Sequence, residues 1–328
     1  MQRRILRRGK MFRRQPQPTP LPVAKARRIW RQGAHNAFTD LCWFAGRYYC
    51  VFREGSAHVS PDGALRILQS ADGRRWHSVA LIQNPQADLR DGKLVVTPDG
   101  RLQLIGAGAL HDRSLYSHQS YSWFSGNGHD WSDAIAIGEP NIWIWRLTWQ
   151  QGCAWAIGYK CGGGPRFVRL YRSDDGINFS VWVASLYQGD YPNESALLFG
   201  PDQQAICLLR RDPGVALLGT AQPPYFDWHW RPLPCRVGGP QCLWLPDGRI
   251  VAAVRLYHPR IRTSLCWLDP ATASLQEWLE LPSAGDCSYP GLVWQQGRLS
   301  VSYYSSHQQH TMIYFSQPRL PDASSAAG

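Results

Sequence analysis

The sequence predicts an all-β chain folded as a six-bladed β-propeller with four-stranded antiparallel blades. Three observations carry this expectation. A unit made of a small or polar opening, an apolar run, a turn and a second apolar run occurs six times. Its turns, at Gly46, Gly100, Gly152, Gln203, Gly248 and Gly297, lie 45 to 54 residues apart, which is enough chain for four strands each. The 30 Gly, 24 Pro and 16 Trp among 328 residues suit frequent turns and aromatic-filled sheets rather than helices.

The units open at Ala37, Leu89, Trp145, Asn193, Gly239 and Ser288. In each, the flanks of the turn alternate or run apolar over four to seven residues, as strands do. Pro98-Asp99-Gly100 and Pro246-Asp247-Gly248 are tight-turn sequences, because Gly accepts positive φ and Pro presets the preceding corner. The sixth unit has room for strands near 289–295, 298–304 and 311–316 and little strand-like text beyond. Ala24–Trp30 is therefore expected to supply its outer strand and remove an open edge. Residues 1–22 read as a basic tail without order, 23–318 as one propeller domain, and 319–328 as a frayed end.

The charge is unevenly placed. The net is +11, from 35 basic and 24 acidic residues, yet residues 1–31 hold 11 of the basic ones and no acid. The remaining 24 basic residues balance the 24 acidic ones. A basic body that grips nucleic acid along its surface is excluded, while the tail is suited to anionic surfaces. No apolar stretch reaches the length of a membrane span. The basic start lacks the apolar segment of an export signal, and a cytoplasmic location is expected. Nine cysteines include no CxxC pair, so a reducing compartment is expected, with Cys42, Cys50, Cys153 and Cys161 as buried thiols. No His/Asp cluster shows metal-ligand spacing, His307 and His310 being read as exposed, and neither metal nor cofactor is expected.

Candidate functional residues are those at equivalent blade positions facing the central channel. Seven residues after the turn the units read Arg53, Ala107, Tyr159, Arg210, Arg255 and Tyr304. Three arginines at one position, with Arg90 at the mouth of the second unit, would repel unless an anion such as a carboxylate lay between them. The bland alternative pairs each with a neighbouring Asp or Glu. Asp91, Glu194 and Tyr289 stand at the openings of inner strands.

Three later segments share S-x-[DN]-G-x-x-[WF], at Ser70–Trp76, Ser125–Trp131 and Ser173–Phe179. They resemble the Asp-box, a hairpin turn whose Asp or Asn binds nearby backbone while the aromatic ring fills a gap between strands. With these motifs, residues 35–316 resemble the sialidase (neuraminidase) superfamily. Glu194 is followed 16 residues later by Arg210, and Arg255 is followed 34 residues later by Tyr289, an order that matches the family's. The resemblance implies a hydrolase for a terminal sialic acid or related acidic sugar on a glycoconjugate, with Tyr289 as nucleophile, Glu194 as its base, an Asp acid/base and an arginine clamp on the carboxylate. A neutral Tyr suits an anomeric carbon that bears a carboxylate, since an acidic nucleophile would be repelled. The first two units depart from the pattern. Asn36-Ala37-Phe38-Thr39 holds no arginine where the family's first one stands, so Arg53 or Arg90 is expected to complete the clamp with Arg210 and Arg255. The loop Glu54–His58 lacks the family's Asp, and Asp91 is the preferred replacement, with Asp112, Glu54 and His58 as alternatives. These departures leave open another sugar, a carbohydrate-binding propeller that does not cleave, and an interaction scaffold.

Overall fold

The computed structural model describes residues 21–321, and the expectations for the tail before Leu21 and for the end after Pro321 lie outside them. Its 24 strands form six four-stranded antiparallel sheets. The innermost strands, in chain order, are His35–Phe44, Ala87–Val96, Ile142–Gln150, Pro192–Phe199, Val237–Trp244 and Cys287–Gln295. Five blades use four consecutive strands each. In the sixth, Ala26–Trp30 pairs antiparallel with Met312–Ser316, so the first strand among the described residues completes the last sheet. This closure satisfies an edge that would otherwise expose unpaired backbone groups.

Apolar residues of neighbouring blades pack against each other and hold the ring. Leu65, Ile67, Leu89 and Leu104 join the first two blades, and Leu208, Val237, Ala252 and Val254 join the fourth and fifth. The three S-x-[DN]-G turns behave as their chemistry dictates. Asp72 Oδ1 accepts from the N–H groups of Arg74 and Arg75 at 2.7 and 3.0 Å. Asn127 and Asp175 make the equivalent bonds, and Gly73, Gly128 and Gly176 adopt φ of 70°, 76° and 72°. Trp76 packs on Phe315, joining the first blade to the last.

All nine cysteines are free. Burial raises the thiol pKa of Cys42 to about 12. Cys153 differs from the expectation: it is half-buried, beside Arg172 and Asp174 at the surface.

Every innermost strand breaks register at the channel mouth. Two residues face one at Phe38-Thr39, Asp91-Gly92, Asn193-Glu194, Gly239-Pro240 and Tyr289-Pro290, and the third blade has a shift at Trp145. Phe38, Asp91, Gly239 and Tyr289 have positive φ, at 60°, 52°, 53° and 48°. A bulge with a left-handed residue bends the strand and re-aims its side chains. The same device repeated around the ring assembles the site.

Candidate active site

Tyr289 and Glu194, 95 residues apart in the chain, meet at the mouth of the channel. The Tyr289 hydroxyl donates to Glu194 Oε1 at 2.6 Å. Glu194 Oε2 accepts from Arg210 Nη1 at 2.6 Å and from the Gly239 N–H at 2.8 Å. Arg210 Nη1 also lies 3.0 Å from Tyr289 Oη, and its Nη2 pairs with Asp212 at 2.8 Å. The Arg255 guanidinium stands 5.2 Å from the centre of the Tyr289 ring. It donates to the Cys287 carbonyl, to Tyr304 Oη at 3.1 Å and to Asp286 Oδ1 at 3.5 Å. Phe38 and Trp145 flank the Tyr289 ring, with centroids 5.0 and 5.8 Å away.

Burial raises the Tyr289 hydroxyl pKa well above 10, and the Glu194 charge adds to that rise while Arg210 and Arg255 oppose it. The phenol is therefore neutral at rest, with a carboxylate positioned to take its proton.

The Asp91 charge adds to the rise of the Tyr289 pKa. Burial raises the Asp91 pKa to about 6, against the pull of Lys93 and Arg90, and the Glu194 charge adds to that rise. Asp91 Oδ1 is buried with no hydrogen-bond partner. The alternatives are already engaged. Glu54 accepts from both Arg66 and Trp30, Asp112 is exposed and caps Ser114, and His58 binds Asp286.

The arginines part company. Arg53, expected in the clamp, is fully buried and turned into the seam between the first two blades. Its guanidinium binds Asp88 at 2.7 Å, the Ala57 carbonyl at 2.7 Å and Ser60 Oγ at 2.8 Å. The cause is local: Asp88 is a buried carboxylate in the next blade, and it takes the charge that the sequence reading assigned to a ligand. Arg90 is held by Asp88 and the His58 carbonyl, 5.0 Å from the Phe38 ring centre. Nor are the three arginines in one register. Arg53 and Arg255 pair opposite Ala37 and Gly238, whereas in the fourth blade Arg211 pairs opposite Pro192 and Arg210 faces the bulge.

Several neighbours were not foreseen. Lys93 is buried in the channel, 4.7 Å from the Trp145 ring centre and 3.2 Å from the Thr39 carbonyl. Burial lowers its pKa to about 8, and the Arg146 charge adds to the effect. Beneath the site Arg146 grips the fully buried Asp40 through Nη1 and Nη2, at 3.0 to 3.1 Å. Asp286 receives His35 Nε2 at 3.1 Å, His58 Nδ1 at 2.8 Å and the Tyr304 hydroxyl at 2.6 Å. Burial alone would raise the Asp286 pKa, but these hydrogen bonds outweigh it and hold the carboxyl well below the usual range. The sequence signal for these residues was the place each holds relative to a bulge or a strand opening, not any motif.

No family model matches the sequence, and no curated protein matches it. Solved structures do. A Dyadobacter fermentans protein of unknown function is 18% identical, with a TM-score of 0.76 over 91% of this chain and 98% of that one. Trypanosoma rangeli sialidase is 12% identical, with a TM-score of 0.70 over 90% of this chain. The match spans 59% of the sialidase's own length. A Penicillium chrysogenum α-L-arabinanase, solved with arabinobiose, is 16% identical, with a TM-score of 0.68 over 91% of this chain and 99% of that one. At these identities the likeness defines the class of fold, a sialidase-like six-bladed propeller. In this chain the site holds a Tyr289–Glu194 pair beside Arg210 and Arg255, while Arg53 of the first blade is paired internally with Asp88.

Proposed function

We propose that the protein is a glycoside hydrolase of sialidase type, acting on a terminal sugar that carries a carboxylate. The observation that carries this reading is the 2.6 Å hydrogen bond from Tyr289 to Glu194, with Arg210 and Arg255 beside it. Tyr289 Oη attacks the anomeric carbon while its proton passes to Glu194. Asp91, protonated, gives a proton to the departing oxygen. The resulting glycosyl–tyrosine is opened by a water that Asp91 deprotonates, and Glu194 returns its proton to Tyr289. Arg210 and Arg255 orient the substrate carboxylate, so the clamp has two members, without Arg53. The sialidase among the structural neighbours supports this reading.

A second reading, hydrolysis of a neutral sugar, draws on charge pairing. Arg210 already faces Glu194 and Asp212, and Arg255 faces Asp286. The arabinanase neighbour fits this alternative. A panel of fluorogenic sialosides, uronides and neutral glycosides, assayed with wild type and Tyr289→Phe, tests both. Release from an acidic glycoside that falls by about 1000-fold or more in Tyr289→Phe, with an unchanged melting temperature, supports the first reading. Cleavage confined to neutral glycosides supports the second. Unchanged turnover in the variant removes Tyr289 as nucleophile, and no cleavage of any glycoside leaves a carbohydrate-binding propeller.

A further inference from the structure

We propose that His35, His58 and Asp286 form a binding site for a divalent transition-metal ion, which clasps the first blade to the last where the ring closes. His35 opens the innermost strand of the first blade, and His58 lies in the loop after that blade's second strand, Arg47–Gly55. Asp286 immediately precedes the innermost strand of the sixth blade. One ligand atom from each residue lies within 4.8 Å of the other two.

The donor set and its support suit such an ion. Two imidazoles and one carboxylate are the ligands of borderline metals such as zinc and cobalt(II). Both imidazoles point at the same oxygen, Asp286 Oδ2, at 3.1 and 2.8 Å. Ligand atoms around a tetrahedral ion with bonds of about 2.0–2.1 Å stand about 3.3 Å apart, so each nitrogen–Oδ2 distance need lengthen only by a few tenths of an ångström, while the two nitrogens lie within 4.8 Å of each other. The other oxygen, Oδ1, is held by the Tyr304 hydroxyl at 2.6 Å, with Arg255 Nη2 at 3.5 Å. Bonds of this kind fix the orientation of a ligating carboxylate, although the Arg255 charge offsets part of the attraction for a cation. When His35 Nε2 ligates, its ring proton moves to Nδ1, which is buried with no hydrogen-bond partner, and this unpaired donor subtracts from the affinity. His58 is half exposed and provides the entry path. Three protein ligands leave coordination positions for water or for ligand oxygens. The Phe38 ring lies between this cluster and the Tyr289 ring, 5.2 Å from His58 and 5.0 Å from Tyr289 by centroid.

The site is tested without reference to hydrolysis, so it stands or falls independently of the proposed activity. The full chain is stripped with a chelator and titrated with cobalt(II), followed by calorimetry, visible absorption and thermal melting. The expected result is one ion per chain at micromolar affinity or tighter, a d–d band without thiolate charge transfer, displacement by zinc, and a melting temperature that rises with metal concentration. His58→Gln, at a half-exposed position that folding tolerates, weakens binding by about 10-fold or more, as does His35→Gln. His229→Gln, at an exposed outer-strand position, does not. Absence of binding by the wild type, retention of full affinity in the His35→Gln/His58→Gln double variant, or a thiolate charge-transfer band marking a cysteine site would each overturn the proposal.

Discussion

Asp91 and Lys93 stand two residues apart on one strand, both buried, and both are driven toward their neutral forms. Burial disfavours whichever form is charged, so the carboxyl rises to about 6 and the ammonium falls to about 8. A carboxyl raised in the folded state contributes stability that is fully present below its unfolded value, near 4, and lost as pH rises through about 6. Asp91→Asn removes that loss, which is on the order of 3 kcal/mol at neutral pH for a shift of about two units. Asn also tolerates the left-handed backbone at this position, φ 52°. The melting temperature of the variant, relative to wild type, is therefore expected to climb between pH 4 and pH 8. A difference that stays flat across that range would show that Asp91 does not titrate as described. If Asp91 is the acid of a hydrolytic step, kcat/KM falls as pH rises above about 6, and the variant loses that limb of the profile.

At the scale of the element, the repeated bulge decides what reaches the axis. Six innermost strands break register at one level, and in four of them the bulge holds a residue with positive φ, Phe38, Asp91, Gly239 or Tyr289. Gly239 illustrates the constraint. Its φ is 53°, its N–H binds Glu194, and a Cβ built on it would lie 2.8 Å from the Tyr289 ring. Gly239→Ala is expected to push the Tyr289 ring aside and stretch the Tyr289–Glu194 bond, with a modest fall in melting temperature and a larger loss at the site. Ultraviolet difference spectra of tyrosine and glycoside turnover read the displacement. A variant with wild-type spectrum and turnover would show that the ring does not depend on that close approach. Counting seven residues from each turn places Arg53, Arg210 and Arg255 together, but the fourth blade pairs one residue out of step with the first and fifth. Register does not decide which of them reaches the site: Arg53 and Arg255 share one register, and it is the buried Asp88 that draws Arg53 away.

Across the whole molecule, a charged plug ties three blades together below the site. Asp40 in the first blade is fully buried, accepts the Leu94 N–H of the second at 2.9 Å and is gripped by Arg146 of the third. Removing one partner strands a buried charge, so Asp40→Ala is expected to destabilise by about 3–5 kcal/mol. Asp40→Leu/Arg146→Met, which removes both charges, should be less destabilised than either single change. Urea unfolding of the four proteins measures the difference, and additive losses would show that the pair is not coupled.

The blade count, the turn chemistry and the borrowed first strand could be read in the chain because each rests on local rules. Gly accepts positive φ, Asp caps a turn, and apolar alternation marks a strand. Tyr289, Glu194, Arg210, Arg255 and Asp91 were legible as candidates because costly polar groups stood at strand openings and ends. The fate of Arg53 was not legible, since its partner Asp88 belongs to another blade and only packing shows which carboxylate a guanidinium meets. Lys93, the Asp40–Arg146 pair and the convergence of His35, His58 and Asp286 were hidden for the same reason. Those contacts join residues tens to hundreds of positions apart, and their geometry exists only once the ring has closed. Period and local conformation belong to the sequence; which charges face each other, and which are left for a ligand, is settled by the distances that closure imposes.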